Sequence, residues 1–99
     1  MTYSKIATYP LAQYVPPIHD KGLTPYEVAQ LTHHAQGRFI MACNEALDPL
    51  GLRMDTSGAV WGEGVASDVR DVVEEIADSL DYEDIFDVAT EWRARNASQ

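Results

Sequence analysis

The chain has 99 residues, 45% of them hydrophobic and 23% charged, which suits one folded domain with its own core and excludes wholesale disorder. Sixteen Asp and Glu face seven Lys and Arg, for a formal net charge of -9, so nucleic acid and anionic membrane repel it and basic surfaces attract it. The single cysteine, Cys43, rules out an internal disulfide. No basic and apolar leader follows Met1, and no apolar run approaches the roughly 18 residues of a membrane span, so a reducing cytoplasm is the expected compartment.

In chain order, residues 1–23 come first and differ from the rest. Ile6 to Ile18 holds Pro10, Pro16 and Pro17 with Tyr9 and Tyr14, and proline favours extended backbone at and before itself. The segment reads as an extended Tyr/Pro arm whose tyrosines lie on the domain's own helices, and Ile6 with Thr8 could start an edge strand.

Thr24-Pro25-Tyr26-Glu27 opens a helix: Thr24 can cap, Pro25 suits the first turn, and Glu27 completes a capping box. At 100° per residue Val28, Leu31, Ala35, Phe39, Ala42, Cys43 and Ala46 share one face. Gln30, His33, His34, Asn44, Glu45 and Asp48 fall opposite. This predicts a long amphipathic helix over about 25–47, within the segment 24–48, ended by Asp48-Pro49-Leu50-Gly51. Gly37 marks a kink or a close approach of another backbone. Residues 52–62, split by Asp55-Thr56-Ser57-Gly58, predict a short β-hairpin.

Beyond Ser67, read as a cap, Val69, Val72, Val73, Ile76, Ala77 and Leu80 keep helical spacing. Tyr82, Ile85, Phe86, Ala89 and Trp92 form a second series that would point about 180° away on a continuous helix. A small domain cannot bury opposite faces of one helix, so a break near Asp81 is expected, with helices at about 67–80 and 82–95. The predicted fold is a single helix-dominated α+β domain over 1–99, with arm, long helix, hairpin and a C-terminal helical pair. Phe39, Trp61, Phe86 and Trp92 are its expected core anchors.

The charge is concentrated in that pair. Residues 1–62 carry five acids and four bases, a net of -1, and residues 63–99 carry eleven acids and three bases, a net of -8. The candidate partner-binding residues are Asp68, Asp71, Glu74, Glu75, Asp78, Asp81, Glu83, Asp84, Asp87 and Glu91, and between Glu63 and Glu91 the one base is Arg70. Like charges three and four apart destabilise a helix by a few tenths of a kcal/mol per pair. A helix under selection for solubility alone would intersperse lysine. Such steps also place carboxylates about 4.5–6 Å apart along the axis, a scale comparable to the phosphate repeat of a nucleic-acid strand.

With this acidic surface and no catalytic motif, the chain resembles small phage-encoded inhibitors of the anti-CRISPR and DNA-mimic type. The resemblance covers about a third of the sequence and implies a stoichiometric inhibitor, acting in the host cytoplasm. Its partner would be the basic nucleic-acid-binding groove of a nuclease or CRISPR effector, a nucleic-acid-binding protein or ribonucleoprotein complex. The alternative is an immunity-type or adaptor protein that binds a basic toxin or assembly subunit.

Other chemistry fits less well. Asp78-Ser79-Leu80 resembles the carrier-protein Asp-Ser-Leu, but there the serine opens a helix after a glycine-containing loop, whereas Ser79 closes one. Leu23 to Leu31 resembles the opening of a helix-turn-helix, yet no basic recognition helix follows. Adjacent His33 and His34 diverge by about 100° on a helix and cannot share a metal as residues four apart can. Cys43 sits on the apolar face without a local histidine, as a core thiol does. No metal, no cofactor and no enzymatic activity are therefore expected.

Overall fold

The computed structural model describes residues 4–16, 18 and 22–97, with side chains through Arg95. Strand β1 (Ser4–Thr8) is followed by a single helical turn, α1 (Leu11–Tyr14), and the long helix α2 (Pro25–Leu47). A 3-10 turn (Asp48–Leu50) leads to β2 (Leu52–Met54) and β3 (Ala59–Gly62), and the chain ends in α3 (Ala66–Ser79) and α4 (Glu83–Ala97). The domain is helix-dominated α+β, with one three-stranded antiparallel sheet in the order β1-β3-β2.

Both boundaries of α2 are fixed by local chemistry. The Glu27 N–H donates to Thr24 Oγ1 at 3.1 Å, and the Thr24 N–H donates to Glu27 Oε1 at 2.9 Å. This reciprocal box satisfies two amides that the first turn leaves without helical partners. At the other end α2 passes into the 3-10 turn, which closes on Gly51 in a left-handed conformation with φ 75°. Between them Leu31, Ala35, Phe39, Cys43 and Leu47 are buried, a row at four-residue spacing. The helix runs unbroken through Gly37, and no atom lies within 4 Å of where a Cβ there would sit. Among the described residues no other backbone makes a close approach at this glycine.

The hairpin is pinned by Asp55. Its Oδ1 accepts from the Ser57 N–H (2.9 Å), the Ser57 hydroxyl (2.6 Å) and the Ala59 N–H (3.1 Å), and Oδ2 accepts from the Trp61 indole N–H at 2.9 Å. Those donors favour the charged form, led by the Ser57 hydroxyl, and hold the carboxyl well below its ordinary range. Because the folded pKa is depressed, the stabilisation is complete above the unfolded value near 4 and is lost as pH falls below it. Asp55→Asn is expected to lower Tm at neutral pH, with the gap to wild type constant above about pH 5 and narrowing as pH drops from there towards about 2. Thermal melts across that range check this.

The arm is more ordered than the proline content suggested. Ser4–Thr8 pairs with β3, so the strand that Ile6 and Thr8 could start is an edge strand of a sheet larger than the predicted hairpin. Pairing satisfies the edge of β3 that the short β2 leaves open. Tyr9, Val15 and Ile18 are buried in the core, and Tyr14 stacks on Phe39 of α2 with ring centroids 6.1 Å apart. Tyr9 meets Tyr14 edge-on at 5.7 Å. The parts of the predicted arm at residues 1–3, 17 and 19–21 lie outside the described residues.

Three further expectations are corrected. Ser67 does not cap α3, because the helix begins at Ala66 with Val65 in the cap position and no side-chain cap bond. Asn44, placed by periodicity on the polar face, turns to β2: its amide N–H donates to the Met54 carbonyl at 3.1 Å, and its carbonyl accepts the Met54 N–H at 2.7 Å. Of the four expected anchors only Phe39 is fully buried. Trp61 and Trp92 are half-buried, and Phe86 is 50% exposed. Tyr82, Ile85 and Ala89 already fill the face that α4 turns inward, which leaves Phe86 at its margin.

At the break between α3 and α4, Leu80 adopts extended backbone (φ -72°, ψ 133°) and Tyr82 turns into the core. Burial raises the Tyr82 pKa, with the Cys43 thiol contributing next, and pushes Cys43 itself up to about 11. The Tyr82 hydroxyl has no hydrogen-bond partner among the described residues. A buried hydroxyl without a partner costs about 1–3 kcal/mol. Tyr82→Phe is therefore expected to leave stability unchanged or raise it by about 1 kcal/mol, measured by urea unfolding.

Candidate functional site: the acidic face of the two C-terminal helices

Helices α3 and α4 each pack against α2. Val69 and Val73 of α3, and Ile85 and Ala89 of α4, are the buried residues that dock them. At 100° per residue, Asp68, Asp71, Glu75 and Asp78 lie on the side of α3 opposite its buried pair. Glu83, Asp87 and Glu91 lie likewise opposite Ile85 and Ala89 on α4. All ten carboxylates named from the sequence are exposed. Folding thus turns the apolar series of both helices inward and leaves their acidic rows on the outside.

The ten are not equivalent. Asp81 accepts the Glu83 N–H at 2.9 Å and so caps the first turn of α4. Asp84 forms an ion pair with Arg38 of α2, fastening α4 to the long helix. Glu74 accepts from Arg70 Nε one turn away at 3.0 Å, an exposed pair of the kind worth little to stability. These two ion pairs each join described residues. Asp68, Asp71, Glu75, Asp78, Glu83, Asp87 and Glu91 take part in neither, and they form the outward rows proper.

Phe86, one residue before Asp87 and three after Glu83, is a half-exposed aromatic bordering the acidic row of α4. Periodicity alone could not identify it as a surface residue, since its spacing fits the buried series equally well. At the far end of α4 the Arg95 guanidinium lies 5.9 Å from the centre of the Trp92 ring. On α4 itself the cations lie near the C-terminal end, where they suit the helix dipole.

Among the described residues no group of three His, Cys, Asp or Glu side chains is placed to hold a metal ion. No helix among them is long and apolar enough to cross a membrane. Cys43 is buried, with a raised pKa that disfavours the reactive thiolate. What the surface can do chemically is present a lattice of negative charge on a rigid two-helix support.

Comparison of the chain with protein-family models, with curated proteins and with solved structures gave no match.

Proposed function

We propose that this chain is a stoichiometric protein inhibitor of the phage-encoded, anti-CRISPR-like kind. Its α3–α4 face occupies a basic nucleic-acid-binding groove on a bacterial nuclease or CRISPR effector complex. One observation carries the reading: ten exposed carboxylates line α3, α4 and the break between them, seven of them in neither an ion pair nor a cap, and Arg70 is the one base between Glu63 and Glu91. The energetic direction supports it, because uncompensated like charges weaken their own helices and tend to be retained where a cationic partner offsets them.

The partner is expected to be a groove lined by Lys and Arg that ordinarily tracks a phosphate backbone. Asp81 and Asp84 serve the fold, as cap and as ion-pair partner of Arg38, so charge removal at these two mixes stability with binding. Asp71, Glu75 and Asp78 on α3 are exposed and take part in neither described ion pair, which makes them the informative positions. The test is a titration of the chain into an effector loaded with a fluorescent oligonucleotide, followed by anisotropy. Displacement at one-to-one stoichiometry, weakening as salt is raised, is the expected result. Formation of a ternary complex with the oligonucleotide still bound would instead favour an adaptor that docks outside the groove.

A further inference from the structure

The side of α2 turned away from the core carries a pattern unrelated to the acidic face. Its buried row, Leu31, Ala35, Phe39, Cys43 and Leu47, steps by four residues. A position two residues further on lies about 200° round the helix, so His33, Gly37, Met41 and Glu45 form a parallel row on the opposite side. His33 and Glu45 are exposed, and Met41 is 69% exposed. Gly37 has open space where a Cβ would be. These four residues line one open groove of about 540 Å³, bordered by Leu80 from the α3–α4 break. Past His33 the groove continues along α2 to Ala29 and to Tyr26, which is 71% exposed.

Read along the helix, the row is base, notch, apolar knob, acid. A two-fold axis level with Phe39 reverses that order and lays it on itself, since 33 plus 45 and 37 plus 41 both make 78. In the resulting antiparallel pair, Met41 of each copy fills the space above Gly37 of the other. The His33 imidazole of each donates to the Glu45 carboxylate of the other. Rows at four-residue spacing are the ridges that interdigitate in the commonest class of helix–helix packing, and a two-fold contact repeats each pairing twice. The flexible thioether of methionine suits such a notch.

Charge selects this face over the others. Two copies of net charge -9 repel, so self-association needs a surface poor in acids. Between Glu27 and Glu45, α2 has no acid and carries His33, His34 and Arg38. The row itself contains none of the ten carboxylates of the α3–α4 surface, the nearest link being Arg38 beside it, which holds Asp84.

We infer that the chain forms a two-fold antiparallel dimer through the His33–Gly37–Met41–Glu45 row of α2, leaving both acidic surfaces outside the contact. Sedimentation equilibrium of the full chain over rising concentration tests this. Wild type is expected to pass from monomer to dimer. Gly37→Leu, whose Cβ would enter open space among the described residues, is expected to stay monomeric at the same concentrations while keeping the wild-type circular dichroism spectrum. His33→Glu and Glu45→His are each expected to weaken dimerisation at least about tenfold, and H33E/E45H together to restore it. A wild-type chain that remains monomeric throughout, a Gly37→Leu dimer as tight as wild type, or a double exchange no tighter than the single ones would overturn the inference.

Discussion

Reversing three charges on α3, Asp71→Lys with Glu75→Lys and Asp78→Lys, is expected to lower affinity for the nucleic-acid-binding partner at least about 100-fold, about 2.8 kcal/mol. The three side chains are exposed, take part in neither of the described ion pairs, and lie opposite the buried Val69 and Val73. Their reversal swaps attraction for repulsion at three points of a basic groove while touching nothing in the core. It also relieves like-charge crowding within α3, so Tm is expected to hold or rise slightly. A melt run beside the displacement titration separates the two effects, since lost inhibition with an intact melt assigns the loss to the surface. The charge-conserving control, Asp71→Glu with Asp78→Glu, is expected to inhibit within a fewfold of wild type.

The second large effect falls on the hairpin. Gly58 has φ +90°, and a Cβ placed there would lie 2.0 Å from the Tyr9 carbonyl oxygen. The Gly58 carbonyl in turn accepts the Tyr9 N–H at 2.8 Å, so the turn and the end of β1 are locked backbone to backbone. Neither side can yield as a flexible side chain would. Gly58→Ala therefore combines an unfavourable left-handed conformation with forced separation of β1 from the turn, loosening Tyr9 and the Tyr14–Phe39 stack behind it. The expected loss is about 3 kcal/mol or more, a fall in Tm on the order of 15 °C for a domain of this size. Gly37→Ala is the contrasting control. With open space and ordinary helical backbone there, it is expected to stabilise the monomer by up to about 1 kcal/mol.

What could be read from the sequence was what depends on neighbours along the chain. The Thr24–Glu27 capping box, the row buried by α2 and the Asp55–Gly58 turn each involve residues a few positions apart. The break near Asp81 was legible for the same reason, because the apolar series changes phase there. What escaped depends on contacts between distant segments. Ile6 and Thr8 suggested an edge strand, but the pairing of Ser4–Thr8 with β3 crosses more than fifty positions, and no local signal names that partner. Asn44 looked like surface until β2 was placed beside it. Phe86 carries the spacing of a core residue, and only the docking of α4 through Ile85 and Ala89 shows that the core is already filled.

The candidate site shows the same division. That nine of the ten acids lie on two helices, with Asp81 at the break between them, followed from counting and from the 100° rule. That Asp81 caps α4 and Asp84 holds Arg38 required the tertiary arrangement. Sorting those residues from the outward rows narrows the proposed contact to Asp68, Asp71, Glu75 and Asp78 on α3, with Glu83, Asp87 and Glu91 on α4.

The most direct measurement immobilises the wild-type chain beside the Asp71, Glu75 and Asp78 reversal variant and exposes both to a nuclease-treated bacterial lysate at low salt. Each is then eluted with a single-stranded oligonucleotide, and the eluate is identified by mass spectrometry. The account predicts a nucleic-acid-binding protein that is held by wild type, released by the oligonucleotide, and missing from the variant. A partner retained equally by the variant, or one that the oligonucleotide cannot displace, would contradict it.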